Sequence, residues 1–132
     1  MTAWEDVLAI RELTARYNHA IDEGRAEDWA ATFVEDGVFE PSAGGRFEGR
    51  AALVEFARGF SSRFKVRHCT TDAVVEVDGD RATQTCYLIL LDRADGVKIR
   101  ASGVYHDTLT RTPDGWRFTH RRVEIDAPPA RE

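Results

Sequence analysis

The sequence has little of what marks secreted, membrane-spanning or disulfide-rich proteins. Its 132 residues include two cysteines, four prolines and one methionine, and no apolar run is long enough to cross a bilayer. Acidic Glu5 and Asp6 interrupt the N-terminus, which therefore does not resemble a signal peptide. We expect a cytoplasmic protein in which Cys69 and Cys86 are reduced thiols inside strands.

Charge and motifs exclude several classes of function. Eighteen Lys and Arg residues are scattered among 23 acids, for a net charge of −5, whereas nucleic acids and anionic membranes require a concentrated basic face. The sequence has no His-x-x-x-His or Cys-x-x-Cys spacing, no phosphate-binding loop and no Gly-x-Ser-x-Gly elbow. We therefore expect no nucleic acid, membrane, metal or other cofactor among its partners.

The hydrophobic pattern changes from a helical to an alternating period near Gly59. Apolar residues three and four apart predict three helices, over 4–23, from about Trp29 to 35–37, and over 50–59. A brief strand at 38–40 and a return strand at Phe47 separate the last two. Alternation then predicts four long strands joined by tight turns, over 64–77, 81–92, 97–111 and 115–126.

Helices that precede a block of antiparallel strands indicate an α+β fold with the helices on one face of the sheet. We expect one domain over 1–126, followed by a flexible, proline-bearing tail over 127–132. The open face of the sheet is predicted to carry Tyr, Ile, Val and Thr side chains. We therefore expect a homo-oligomer, either a dimer or a trimer.

Three segments resemble the SnoaL-like families of the nuclear transport factor 2-like superfamily, over 17–39, 47–53 and 67–82. The resemblance implies a cone-shaped α+β barrel, in which three N-terminal helices pack on a curved, mainly antiparallel sheet of four long strands. It also implies one apolar pocket that binds a small hydrophobic molecule. Such families include dehydratases, isomerases, polyketide cyclases and proteins without a known reaction.

Asp22, at the end of the first helix, and His68, on the first long strand, are the main catalytic candidates. At similar positions, scytalone dehydratase and hexachlorocyclohexane dehydrochlorinase have a carboxylate paired with a histidine. Such a carboxylate orients the imidazole, which can take a proton from carbon or return one to a leaving hydroxide. Alternatively, Asp22 faces solvent and His68 is a hydrogen-bonded core histidine.

The resemblance adds five candidates for substrate binding. Arg121 resembles an arginine that stabilises the departing anion in the dehydrochlorinase, although an exposed arginine is the alternative. Tyr17 and Glu40 resemble the oxyanion donor and the proton-shuttling acid of ketosteroid isomerase, and Tyr105 is a further phenol donor. His106 is a candidate for the second histidine of the dehydratases.

The favoured function is a cofactor-independent, dehydratase-like lyase that acts on a small hydrophobic oxygenated molecule, with His68 as acid or base and Asp22 as its partner. The alternatives are an isomerase or polyketide cyclase that uses Tyr17 and Glu40, and a non-catalytic module that binds a hydrophobic ligand or a protein partner. A subunit of a larger oxygenase is a further alternative.

Overall fold

The computed structural model describes residues 3–127, which form three helices and six strands. The helices are α1 (Ala3–Asp22), α2 (Ala26–Ala30) and α3 (Arg50–Arg63). The strands are β1 (Phe33–Glu40), β2 (Phe47–Glu48), β3 (Val66–Asp78), β4 (Arg81–Asp92), β5 (Lys98–Thr112) and β6 (Gly115–Ile125). Residues 128–132 of the expected tail lie outside the described part.

The six strands form one sheet in the order β2-β1-β6-β5-β4-β3. The four long strands β3 to β6 follow one another as an antiparallel meander, as the alternating pattern predicts. The sheet is larger than four strands because β1 pairs in parallel with β6, and β2 pairs antiparallel with β1. The α+β fold class is confirmed, with the helices packed against the curved sheet.

The predicted end of the second helix is wrong. The helix ends at Ala30, and the chain is already in β1 at Phe33. The Thr32 side chain donates a hydrogen bond to the Trp29 carbonyl at 2.7 Å, and the Thr32 carbonyl accepts one from the backbone of Phe118 at 2.9 Å. Pairing with β6, which lies far away in sequence, thus takes the backbone groups that a longer helix would have used.

Tyr17 is the centre of an aromatic core between α1 and the sheet. Its ring lies 5.3 Å from the ring of Trp29, 5.8 Å from Phe118, 6.0 Å from Tyr105 and 6.2 Å from Phe33. Such pairs contribute roughly 0.5–1.5 kcal/mol each beyond the burial of their area. The apolar stripe of α1 predicted from the spacing is confirmed by the burial of Ile10, Leu13, Tyr17 and Ile21.

The outer face of β3 and β4 carries exposed apolar side chains, among them Val74, Tyr87 and Ile89. This composition agrees with the one expected from the sequence, and the homo-oligomer stays a prediction. Among the described residues, no helix combines the length and apolar character needed to cross a membrane.

Asp6 connects the start of α1 to the hairpin formed by β5 and β6 through hydrogen bonds. Its two carboxylate oxygens accept hydrogen bonds from Arg111 at 2.7 and 3.2 Å, and one oxygen accepts a third from the Trp116 indole at 3.0 Å. The hydrogen bond from Arg111 holds the pKa of Asp6 below its usual value of 3.8. The ionised form therefore stabilises the folded state.

Because the folded-state pKa of Asp6 is depressed, its contribution is complete above the unfolded-state pKa and disappears as the pH falls through the folded-state value. We expect the Asp6→Asn variant to unfold at a lower urea concentration than the wild type at neutral pH. In strong acid the two urea midpoints should converge. Glu12→Gln, which removes an exposed ion pair on the same helix, is the control and should change little. Midpoints that differ by the same amount at every pH would contradict this assignment.

Gly103 of β5 is required by the close approach of β6. A Cβ atom at this position would lie 2.4 Å from the Glu124 carbonyl oxygen, whereas one at Gly59 in α3 would meet nothing within 4 Å. We expect Gly103→Ala to lower the free energy of unfolding by about 1–3 kcal/mol, since β5 and β6 would have to separate. Gly59→Ala should raise it by about 0.4–1 kcal/mol. Urea denaturation of both variants measures the contrast, and equal effects would contradict it.

Candidate active site

The C-terminal end of α1 is held firmly against its neighbours. The chain leaves the helix through Gly24, whose φ of +73° suits a residue without a side chain. The Ser61 hydroxyl donates to the Ile21 carbonyl at 3.2 Å, and the Arg93 guanidinium donates to the Asp22 carbonyl at 3.2 Å. These bonds satisfy carbonyls that the helix leaves unpaired, and they place the Asp22 side chain beside the start of β3.

The Asp22 carboxylate and the His68 imidazole are in direct contact. His68 Nδ1 lies 2.6 Å from Asp22 Oδ1, and the backbone N–H of His68 donates to Oδ1 at 3.2 Å and to Oδ2 at 3.0 Å. The two side chains are only 12% and 8% exposed, for Asp22 and His68 respectively. Because a carboxylate accepts hydrogen bonds, the neutral ring carries its proton on Nδ1 and keeps a lone pair on Nε2.

His68 lies in the wall of an apolar cavity of about 90 Å³. Its ring centroid is 5.7 Å from that of Phe60, which lines the same cavity. The polar groups of the lining are the Tyr17, Ser42 and Tyr105 hydroxyls, the His68 imidazole and the Trp29 indole. The apolar part of the wall comes from α1, α3, the turn after β1, and the three strands β1, β4 and β6: Ile21, Phe39, Pro41, Phe56, Phe60, Leu88, Leu90, Val123 and Ile125.

Tyr17 and Tyr105 place two phenols in the cavity wall, as expected. Both side chains are buried, and burial raises the pKa of each phenol above its usual value. Each tyrosine therefore stays protonated at neutral pH. A protonated phenol can donate a hydrogen bond to an oxygen atom of a bound molecule.

Arg121 does not contact the cavity, and it is not exposed either. It points inward and is fully buried behind the tyrosines, with its guanidinium carbon 3.5 Å from the ring centroid of Tyr105 and 4.3 Å from that of Tyr17. Its Nε donates to Asp107 Oδ1 at 2.9 Å. The expectation that Arg121 binds substrate is therefore corrected: it supports the two phenols from the side away from the cavity.

Glu40 and His106 lie on the outer face of the sheet instead of in the cavity. In each strand the preceding residue lines the cavity, and successive residues of a strand point to opposite faces. Glu40 contacts His120 Nε2 at 2.5 Å, and His106 Nε2 lies 3.1 Å from a Glu124 oxygen. The structure thus brings together Asp22, His68, Tyr17 and Tyr105, and leaves out Glu40, His106 and Arg121.

Sequence reasoning missed most of the apolar wall. Leu88 and Leu90 alternate with the exposed Tyr87 and Ile89. This alternation separates the two faces of β4, but it does not identify the face that encloses the cavity. Phe60 lies beyond the predicted end of the third helix, which continues to Arg63.

Neither cysteine lines the cavity. Both Cys69 and Cys86 are free, and burial raises the pKa of Cys86 to about 11, which keeps it a neutral thiol. Within residues 3–127, no three His, Cys, Asp or Glu side chains are arranged to hold a metal ion.

Comparison with known proteins agrees with this architecture. The family model of the SnoaL-like domain matches residues 2–122. An uncharacterized protein of Mycobacterium tuberculosis is 33% identical over 124 residues, covering 90% of this chain and 84% of that protein. The small subunit of anthranilate 1,2-dioxygenase from Burkholderia cepacia is 27% identical over 145 residues, covering 96% of this chain and 88% of the subunit.

Solved structures give the same result. A protein of unknown function from Mycobacterium tuberculosis is 40% identical, with a TM-score of 0.89, covering 93% of this chain and 73% of that one. An NTF2-like protein with a cystatin-like fold from Novosphingobium aromaticivorans is 31% identical, with a TM-score of 0.83. The match covers 92% of this chain and 82% of that one. The family match over most of the sequence and the shared fold show that the chain belongs to the SnoaL-like domain family, within the nuclear transport factor 2-like superfamily.

Proposed function

We propose that this protein is a cofactor-independent, dehydratase-like lyase that acts on a small, neutral, hydrophobic molecule carrying oxygen. The proposal rests on one observation: the 2.6 Å contact between Asp22 and His68, with the imidazole in the wall of an apolar cavity. SnoaL-like proteins with this fold are often isomerases or dehydratases that need no cofactor.

The chemistry follows from the protonation state of the ring. His68 Nε2 takes a proton from the carbon next to a carbonyl group, and the electron pair of that C–H bond forms the new C=C bond as hydroxide leaves the neighbouring carbon. The imidazolium then returns its proton to the hydroxide, which gives water and restores the neutral ring. Asp22 keeps Nδ1 protonated throughout and stabilises the transient positive charge.

Tyr17 is assigned to the carbonyl oxygen of the substrate, and Tyr105 supports it by a hydrogen bond to the Tyr17 oxygen. Negative charge develops on the carbonyl oxygen when the proton leaves the carbon, and a neutral phenol in a water-poor cavity is a suitable donor for it. Because burial raises the pKa of both phenols, neither is a base at neutral pH: Tyr105 donates to Tyr17, and the Tyr17 hydroxyl donates to the substrate.

The composition of the cavity defines the substrate class. Among residues 3–127, no Lys, Arg, Asp or Glu side chain lines it, so a charged substrate would lose its hydration without gaining a partner. The cavity volume of about 90 Å³ is small, which favours a molecule no larger than a single ring. A cyclic β-hydroxy ketone fits these requirements.

A non-catalytic role is the second candidate, and the likeness to the small subunit of anthranilate 1,2-dioxygenase favours it. In that case the cavity would bind an apolar group without chemical change, and the histidine would only stabilise the fold. An isomerase or cyclase that uses Glu40 has less support, because Glu40 lies on the outer face of the sheet. An isomerase or cyclase would therefore have to use His68, and not Glu40, as its acid or base.

The test is turnover of β-hydroxycyclohexanone, followed by the absorbance of the dehydrated product. We expect His68→Gln to lower kcat/KM by about 10²–10⁴-fold, since the proton acceptor is lost. Asp22→Asn should also lower it, because the amide can hold the wrong tautomer of the ring. His106→Gln, on the outer face, is the matched control and should retain wild-type activity.

Binding is measured in parallel through the fluorescence of Trp29 in the cavity wall. Compounds that bind with equal affinity to wild type and His68→Gln, and that neither protein dehydrates, would contradict the lyase and support the binding module. Turnover that survives His68→Gln would contradict the assignment of the base. Urea denaturation of each variant checks that it is folded.

A further inference from the structure

A second and more polar cleft also reaches His68. It has a volume of about 270 Å³ and lies between α1 on one side and β3 and β4 on the other. His68 is the only described residue that lines both this cleft and the apolar cavity. His68 thus borders an apolar compartment and a polar one.

The cleft lies where β3 departs from regular pairing. The register between β3 and β4 shifts between Thr71 and Val74, and Asp72 has a φ of 56°, in the left-handed region. Such a bulge bends a strand and interrupts its ladder of hydrogen bonds. Thr71 and Asp72 both line the cleft, so the irregular backbone forms part of its wall.

Two buried amides in the wall of the cleft have unsatisfied oxygen atoms. Asn18 is 6% exposed and donates from Nδ2 to the Thr70 hydroxyl at 3.0 Å, and Gln84 is 1% exposed and donates from Nε2 to Thr14 at 2.9 Å and to Asp107 at 3.0 Å. Neither Asn18 Oδ1 nor Gln84 Oε1 has a hydrogen-bond partner among the described residues.

A buried carbonyl oxygen without a partner is unfavourable, and proteins usually satisfy such groups with ordered water. The cleft has polar side chains in its wall and room for several water molecules of ~30 Å³ each. The apolar cavity, with its aromatic and aliphatic wall, offers water far fewer hydrogen bonds. Solvent that reaches His68 should therefore do so from the cleft.

We infer that this cleft, lined by Asn18 and Gln84, holds water and is the path by which His68 exchanges protons and water with solvent. The organic ligand uses the separate apolar cavity. The catalytic value of the path rests on the proposed function, in which an elimination forms one water molecule beside His68. The exchange itself requires no substrate.

The experiment measures the exchange rate of the His68 ring proton with water by NMR, in ligand-free protein labelled with ¹⁵N-histidine. Ala15 is exposed on α1 and lines the cleft, and Ala73 lines it from β3. We expect Ala15→Leu and Ala73→Leu to slow the exchange of the ring proton, because the larger side chain narrows the cleft. A variant that closes the cleft should lower the exchange rate about tenfold. Ala51→Leu, at an exposed position of α3, is the matched control and should leave the rate unchanged.

Ser42→Trp tests the competing route. Ser42 is exposed and lines the apolar cavity, so a tryptophan there should obstruct the cavity and not the cleft. We expect an unchanged exchange rate. Slower exchange in Ser42→Trp, with wild-type rates in both cleft variants, would overturn the inference, and so would wild-type rates in all variants.

A crystal structure of the wild-type protein gives a second readout. Ordered water in the cleft, between α1 and the strands β3 and β4, is the expected result, and a dry cleft would overturn the inference. Because neither measurement uses a substrate, the water path can fail while the lyase stands, or stand while the lyase fails.

Discussion

The carboxylate of Asp22 is the point on which the site depends. It accepts hydrogen bonds from the backbone and the ring of a single residue, His68, and so joins the last turn of α1 to the start of β3. The backbone bonds hold the strand against the helix, and the ring bond orients the imidazole. One interaction therefore fixes both the packing of two elements and the chemistry of a side chain.

The surroundings of this pair divide into an apolar part and a polar part. The apolar cavity offers phenols that burial keeps protonated, and behind them the fully buried Arg121 is neutralised by Asp107. The guanidinium against the ring faces of Tyr17 and Tyr105 holds both rings in place without entering the cavity. The polar cleft lies on the side of α1 that carries Asn18. Chemistry and solvent exchange can thus be separated around one histidine.

Much of the fold could be predicted from the sequence because it depends on local periodicity. The apolar stripe of α1 and the alternation of β3 to β6 each depend on residues a few positions apart. The end of α2 could not be predicted in this way, because parallel pairing of β1 with β6 is a non-local interaction that overrides the local helical pattern. The same pairing adds two strands to the predicted sheet.

The site was predicted in part. The resemblance placed Asp22 beside His68, and the helical stripe placed Tyr17 inside. The resemblance also assigned Arg121 to the ligand. Alternation shows that this side chain points inward, but it does not show that aromatic rings separate it from the cavity. The strand register determines the face of the sheet on which Glu40 and His106 lie. Each follows a residue that lines the cavity, and each therefore points outward.

The central claim, that Asp22 holds His68 with its proton on Nδ1 and a lone pair on Nε2, is tested most directly by the ¹⁵N chemical shifts of the His68 ring. The measurement is made at a pH where the ring is neutral, with His68→Gln used to assign the signals. We expect Nδ1 to have the shift of a protonated nitrogen and Nε2 that of an unprotonated one. Protonation on Nε2, or averaged shifts for the two nitrogens, would contradict the account.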